Sequence, residues 1–247
     1  MTRSDEPDVA RLYHEHSYHE RSRSTEMTLD GDREPDKFRV HPGALRVPLP
    51  GRDFAVDEPL GAVLARRRSV RDFDDRTMPL EALGRLLHAS CGVRAVTPEL
   101  LDRPMPSAGG KHPLEVYLST RAVSGLADGL YHYDPQAHEL ELCRVGLAQP
   151  TLAHIALDQP MVASANVVVV LTAIPERTRW KYGQRGYRYL WLDAGHLGQN
   201  LYLVATALGL GPCGIGGFHD RELIALLDLP EDELPFYLVC IGQEAAR

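Results

Sequence analysis

Four arginines crowd one short stretch of this sequence: Arg66, Arg67, Arg68 and Arg71, with Ser69 among them. A guanidinium offers a planar fork of donors that matches phosphate oxygens, and a serine hydroxyl adds one more. In a chain of formal net charge −7, such a basic knot reads either as a phosphate site or as a solvated face. Downstream, Pro106-Ser107-Ala108-Gly109-Gly110-Lys111-His112-Pro113 is a loop of small residues entering a strand. It fits a plain turn, and it would also let backbone N–H groups reach the edge of a planar ligand. Lys181 and Tyr182 follow Trp180, and Arg185, Tyr187, Arg188, Tyr189 and Trp191 come soon after. Taken locally, that composition favours an exposed aromatic and basic face.

Other motifs exclude chemistry. The cluster Gly209–Gly217 (GLGPCGIGG) invites a dinucleotide reading. A Rossmann fingerprint, however, follows a strand and opens a helix, whereas this cluster is expected to follow a helix and precede a strand. Gly216 and Gly217 would still let backbone approach a flat ligand, and a simple turn is an equal reading. Neither G-x-S-x-G nor a P-loop occurs, which removes the common hydrolase and nucleoside-triphosphatase assignments. His14, His16 and His19, with Glu15 and Glu20, lack the helix-borne H-E-x-x-H geometry. They read as a solvated arm, and no metal is expected.

These groups need elements to hold them. Residues 1–50 read as an N-terminal arm and extended lead-in, with a short helix over Asp8 to His16 and prolines 42, 48 and 50 blocking helix later. Residues 51–247 read as a single domain. Leu60, Val63 and Leu64 recur at helical spacing, and a second helix starts near Pro79 with Leu80, Leu83 and Leu87 on its buried face. EVYLST (115–120), GLYHY (129–133) and ELELCRV (139–145) alternate or are β-rich, and NVVVVLTAI (166–174) reads as a strand buried on both faces.

The strongest helical pattern runs from Tyr187 to Leu208. Its apolar residues cover so many sides that the helix must lie centrally or in an interface. Gly195 and Gly198 each cost about 1 kcal/mol of helix propensity, which a close backbone approach would offset. Asp220 is expected to cap a short helix, and PFYLVCIG (235–242) to end the domain as a strand. Helices and strands without a regular βαβ repeat place the chain in the α+β class.

Composition sets outer bounds. The 247 residues are 44% hydrophobic and 25% charged, enough for a full core. The acidic balance gives no electrostatic case for nucleic acid. Cys91, Cys143, Cys213 and Cys240 form no C-x-x-C pair, which suits a reducing cytosol, and no run reaches the ~18 apolar residues of a membrane span. A cytoplasmic protein is the expectation.

In order along the chain, RRRSVRDF (66–73), PSAGGKHPLEVY (106–117), GLYHYDPQAHELE (129–141), KYGQRGYRYLWLDAGHLGQNLYLVATALGLG (181–211) and YLVCIGQ (237–243) resemble the SagB-type dehydrogenases, a branch of the nitroreductase-like flavoenzymes. YHEHS (13–17) and FRVHPGALRVPLP (38–50) fit the same resemblance, which spans almost the whole chain. It implies a nitroreductase-like fold: a central mixed or antiparallel sheet flanked by helices, with a long central dimer helix. It further implies FMN bound in clefts between two subunits of a homodimer.

Carried over by position, Arg67, Ser69 and Arg71 would hold the phosphate and ribityl chain, with Arg68 contributing through its backbone. Pro106, Ser107, Ala108 and Gly109 would line the isoalloxazine from the partner subunit, and Gly216 and Gly217 would present backbone beside the reactive centre. In the family, the pair matching Lys181 and Tyr182 is implicated in oxidising thiazolines and oxazolines of a modified peptide to azoles, with dioxygen as final acceptor. A cyclodehydratase-type partner goes with that role.

Two departures stand out. Glu244-Ala245-Ala246-Arg247 replaces the usual basic pair near the C-terminus, which throws the phosphate onto Arg67 and Arg71. Lys111-His112 replaces an apolar-tyrosine pair at the substrate mouth. The alternatives are an NAD(P)H-dependent nitro or quinone reductase, and a flavin-free docking subunit of a peptide-modifying complex.

Overall fold

The computed structural model describes residues 8–18, 34–53, 56–97 and 100–246; His19 and Glu20 lie outside them. An inner strand of its sheet, β7 (Val167–Ala173), is buried at every residue. Antiparallel neighbours flank it, β4 (Leu114–Thr120) on one side and β9 (Leu234–Gly242) on the other. Beyond β4 come β5 (Gly129–Asp134), β6 (Glu139–Val145) and the edge strand β1 (Arg46–Pro48); beyond β9 lies the other edge, β8 (Gly211–Ile215). Every pairing in this seven-stranded sheet is antiparallel. A short hairpin, β2 (Ala95–Val96) with β3 (Leu101–Asp102), stands apart.

The valine run of β7 has a direct physical reading. Val167, Val169 and Leu171 join a core with α3 (Leu80–Cys91) and the long α7 (Gly186–Ala207), through Leu83, Leu87, Leu190, Leu197 and Leu201. Val168 and Val170 point the other way, into a core with α4 (Gln149–Ile155), α5 (Pro160–Ser164) and α8 (Asp220–Leu227). Both faces of the sheet are therefore covered, and alternation gives way to continuous apolar sequence.

Two expectations change. The glycine cluster after α7 does not precede a strand; it contains one, β8, and the next element is helix α8. Gly-Pro-Cys-Gly has poor strand propensity, but an edge position tolerates Pro212, and pairing with β9 supplies the backbone partners. Asp220 is the first residue of α8 rather than its cap, since His219 occupies the cap position without a side-chain bond.

The close approach expected at the glycines of α7 occurs at Gly198, where an added Cβ would come 2.7 Å from the Tyr237 ring. Gly195 faces outward with open space around it. The same outward stripe leaves Trp191 53% and Leu192 56% exposed.

The N-terminal segments are tied to the body. Helix α1 (Val9–His16), capped by the Asp8 side chain, lies against the start of α7. There Arg188 Nε donates to Ser17 Oγ at 2.6 Å, Arg185 donates to the Ser17 carbonyl, and Tyr13 meets Tyr187 edge to face at 5.7 Å. Along the lead-in, the Arg39 N–H donates to Glu115, the Asp36 carbonyl accepts from Arg177, and β1 extends the sheet.

Candidate functional site

Helix α2 (Leu60–Arg66) ends at the basic knot, where the Arg67 N–H closes the last turn on the Val63 carbonyl. The following segment is stitched to the edge strand by the Val70 N–H donating to the Pro212 carbonyl at 2.8 Å. The four arginines part company here. Arg66 pairs with Glu58 at 2.6 Å and donates to the Thr206 carbonyl, and Arg68 pairs with Glu244. A cleft of about 450 Å³ beside them is lined by Arg66, Arg68 and Glu244 together with Val70, Leu210 and Pro212. Arg67 and Arg71 have no carboxylate partner among the described residues.

Tyr202 of α7 organises this cluster. Its hydroxyl accepts the Gly214 N–H at 2.6 Å and lies 3.0 Å from Ser69 Oγ, while the Arg67 guanidinium sits 5.6 Å over its ring. With Gly214 donating to Tyr202, the phenol can pass its own proton to Ser69, which leaves the Ser69 O–H free to donate elsewhere. Gly216 and Gly217 follow β8 directly, and a Cβ at Gly216 would meet nothing within 4 Å.

A second cluster gathers around the small-residue loop. Residues Ala108–Gly110 form one turn of 3-10 helix in which Gly109 has φ 60°, a left-handed conformation that suits glycine. Ser107 Oγ donates to Asp193 at 2.5 Å and accepts the His112 N–H at 2.8 Å, so its proton is committed inside the protein. To a ligand that needs a donor, Ser107 offers its backbone. Asp193 is 3% exposed, and the nearby Ala108 N–H favours its charged form. Burial pushes its carboxyl up to about 6, against the lowering effect of those two donors.

Lys181 and Tyr182 close this cluster. They end a helix of their own, α6 (Glu176–Tyr182), rather than leading straight into α7. A Cβ on Gly109 would run into the Tyr182 hydroxyl and come 3.2 Å from Lys181 Nζ. The Lys181 ammonium is 5.4 Å from the Tyr182 ring centre, and Tyr189 packs on that ring edge to face at 5.0 Å.

The pair at 111–112 divides, with His112 turned inward and Lys111 lining a small cleft with Gly109, Gly110 and Arg177. His112 is buried, its Nε2–H donates to the Leu101 carbonyl, and burial beside Arg103 lowers it to about 4. Lys111 pairs with Glu34 and stacks over Trp180.

The structure thus joins Arg67 and Ser69 to Tyr202 and Gly214, and joins Pro106–Gly109 to Lys181 and Tyr182. It does not join the two clusters within one chain. Their anchors on α7, Asp193 and Tyr202, are nine residues apart, roughly 13.5 Å along the axis and on opposite sides of the helix. Both anchors escape a reading of local motifs, although an aspartate and a tyrosine hydroxyl inside an otherwise apolar helix are a signal in themselves.

A third polar centre lies under β4, β5 and β6. His132 is fully buried, with Nε2 2.9 Å from Glu115 and Nδ1 2.9 Å from Glu141. The buried Arg177 and the more exposed Arg46 pair with those carboxylates at 2.6 and 2.7 Å. His41 lies over His132 at 4.7 Å between ring centres. No element of the sequence pattern announces this network.

Comparison with known proteins adds a lineage to this geometry. A sequence model described as Nitroreductase family matches residues 64–243. A nitroreductase-like protein of Methanocaldococcus jannaschii is 38% identical over 182 residues, covering 74% of this chain and 89% of its own. The microcin B17-processing protein McbC of Escherichia coli is 27% identical over 139 residues, 54% of this chain; the matched part is 51% of that relative's length. Among solved structures, a nitroreductase-like protein of Anabaena variabilis superposes with a TM-score of 0.79 and 27% identity, covering 98% of this chain and 49% of its own.

Proposed function

The chain belongs to the nitroreductase family, and on that premise we propose that it is an FMN-dependent oxidoreductase that dehydrogenates azoline rings in a peptide or related intermediate. The observation that carries the reading is the convergence of Lys181, Tyr182 and Gly109. Similarity to a microcin-processing protein supports a peptide substrate, and with it a cyclodehydratase-type partner.

The residues present fit the cofactor. A phosphate dianion needs cations not already neutralised, and in this acidic chain Arg67 and Arg71 meet that need while Arg66 and Arg68 do not. Ser69 can donate its proton to the ligand when the Tyr202 hydroxyl donates to Ser69. The open side of Gly216 and the backbone of Gly217 would lie beside the ring. Bound FMN would supply the hydride acceptor.

The two clusters of one chain hang on opposite sides of α7, so the loop that completes a phosphate site comes from a second copy. Pro106, Ser107, Ala108 and Gly109 would then line the ring from the partner, carrying Lys181 and Tyr182 with them. The outward apolar stripe of α7, with Trp191 and Leu192, is a surface for that homodimer. Within the completed site, the Tyr182 hydroxyl or Lys181 Nζ takes the proton from the azoline carbon as hydride departs from its neighbour. Two hydrogens leave the ring and an aromatic azole remains.

The test begins with colour. Purified protein is expected to be yellow and to release FMN on denaturation; protein that stays colourless with added FMN sinks the reading. Lys181→Ala and Tyr182→Phe should keep FMN and the dimer, while flavin reduction by an azoline peptide falls about 100- to 10,000-fold per bound flavin. Near-native rates in both variants would remove the pair from the mechanism. Rapid NAD(P)H oxidation with no azoline turnover would favour a nitro or quinone reductase.

A further inference from the structure

We propose that Asp193 is a positioning residue for the reaction, fixing the Ser107–Ala108 peptide and so setting where Gly109 stands against Lys181 and Tyr182. The assignment of a catalytic consequence rests on the reading of that loop as flavin-lining.

Asp193 is poorly explained as a structural residue. Aspartate is among the weaker helix formers, and this one lies inside a long helix with its carboxyl buried. Removing a carboxylate from water is costly unless it is well hydrogen-bonded. Yet its hydrogen-bond donor, the Ser107 hydroxyl, belongs to the loop, and so does the Ala108 N–H beside it. Neither belongs to the sheet or to a neighbouring helix. A carboxylate placed at that cost acts on the loop.

The loop requires such a hold. Gly109 and Gly110 both have positive φ, at 60° and 66°, so the turn has wide conformational freedom of its own. Few backbone bonds restrain it: Gly110 to Ser107 at 3.0 Å and Lys111 to Ala108 at 3.3 Å. The Asp193–Ser107–His112 relay closes the turn at both ends, running from the helix through the hydroxyl to the His112 N–H. Beyond the turn stand the Tyr182 hydroxyl and Lys181 Nζ, packed so closely on Gly109 that an added Cβ would displace the Tyr182 hydroxyl and come 3.2 Å from Lys181 Nζ. An acid–base group must stand within hydrogen-bond reach of the proton it moves, and a 1 Å misplacement can cost on the order of 100-fold in rate. Asp193 reaches the reacting groups only through this loop.

The experiment compares Asp193→Ala, Asp193→Asn and Ser107→Ala with the native protein. Ser107→Ala changes a loop side chain outside the core, so the test survives if Asp193→Ala fails to fold. In flavin-free protein, amide exchange at residues 108–112 should speed up at least tenfold in Asp193→Ala and Ser107→Ala, with the rest of the sheet unchanged. Flavin-loaded, the same variants should bind FMN within about threefold of native affinity. Their turnover should fall roughly 10- to 100-fold, and the visible spectrum of the bound flavin should shift. Asp193→Asn keeps shape and an acceptor oxygen and should recover part of both effects. Unchanged exchange overturns the proposal, and so does faster exchange with native turnover and spectrum. Native protein that takes up no FMN would sink the flavin reading instead, and the exchange result would still decide whether Asp193 holds the loop.

Discussion

Replacing His132 by glutamine should change the pH dependence of stability in a way that can be worked out beforehand. Burial alone would lower this imidazole, but hydrogen bonds and charge from Glu115 and Glu141 outweigh it and hold His132 up at about 9. A group raised in the folded state stabilises fully below its unfolded value, near 6.5, and that stability is lost as pH climbs through the folded value. The gap is about 2.5 units, or roughly 3 kcal/mol at 1.36 kcal/mol per unit. The figure belongs to the cluster as a whole, because Glu115 is drawn down to about 2 by the same contact, helped by Arg177.

Urea unfolding of both proteins at pH 6.5 and 9.5 is the assay. The native protein should exceed His132→Gln by about 3 kcal/mol more at pH 6.5 than at pH 9.5. Taking the difference removes thiols and phenols that titrate alike in both. A gap between the two proteins that does not vary with pH would refute a protonated His132 held between two carboxylates.

Arg67→Ala should weaken FMN binding by tenfold or more, since a charge-assisted hydrogen bond contributes about 1.5–3 kcal/mol; unchanged occupancy at limiting FMN would place the phosphate elsewhere. Light scattering at micromolar concentration should show a dimer with an interface above ~2,000 Å², and a flavin-loaded monomer would contradict the shared site.

The parts of the fold legible in sequence were those whose pattern is imposed by burial on a single element. The valines of β7 are apolar in unbroken succession because both faces of that strand are covered. The three- and four-residue steps of α7 reproduce its buried stripe of Leu190, Ala194, Leu197 and Leu201. Strand β8 was not legible, because what makes Gly211–Ile215 a strand is its partner β9 and not its own composition. Asp220 had the composition of a cap without the role.

For the candidate site, sequence alone determined the inventory: a basic knot, a small-residue loop, a lysine-tyrosine pair and a pair of adjacent glycines. Residue type and spacing suffice for that, since each motif is contiguous. Only the tertiary structure decided pairing. Arg68 is paired with Glu244, 176 residues away, and Arg66 with Glu58, while Arg67 and Arg71 have no carboxylate partner among the described residues. Ser107 spends its hydroxyl on Asp193, and His112 turns inward to Leu101. Hydrogen bonds and ion pairs form between whatever groups the fold brings within about 3 Å, and that distance has no counterpart along the chain.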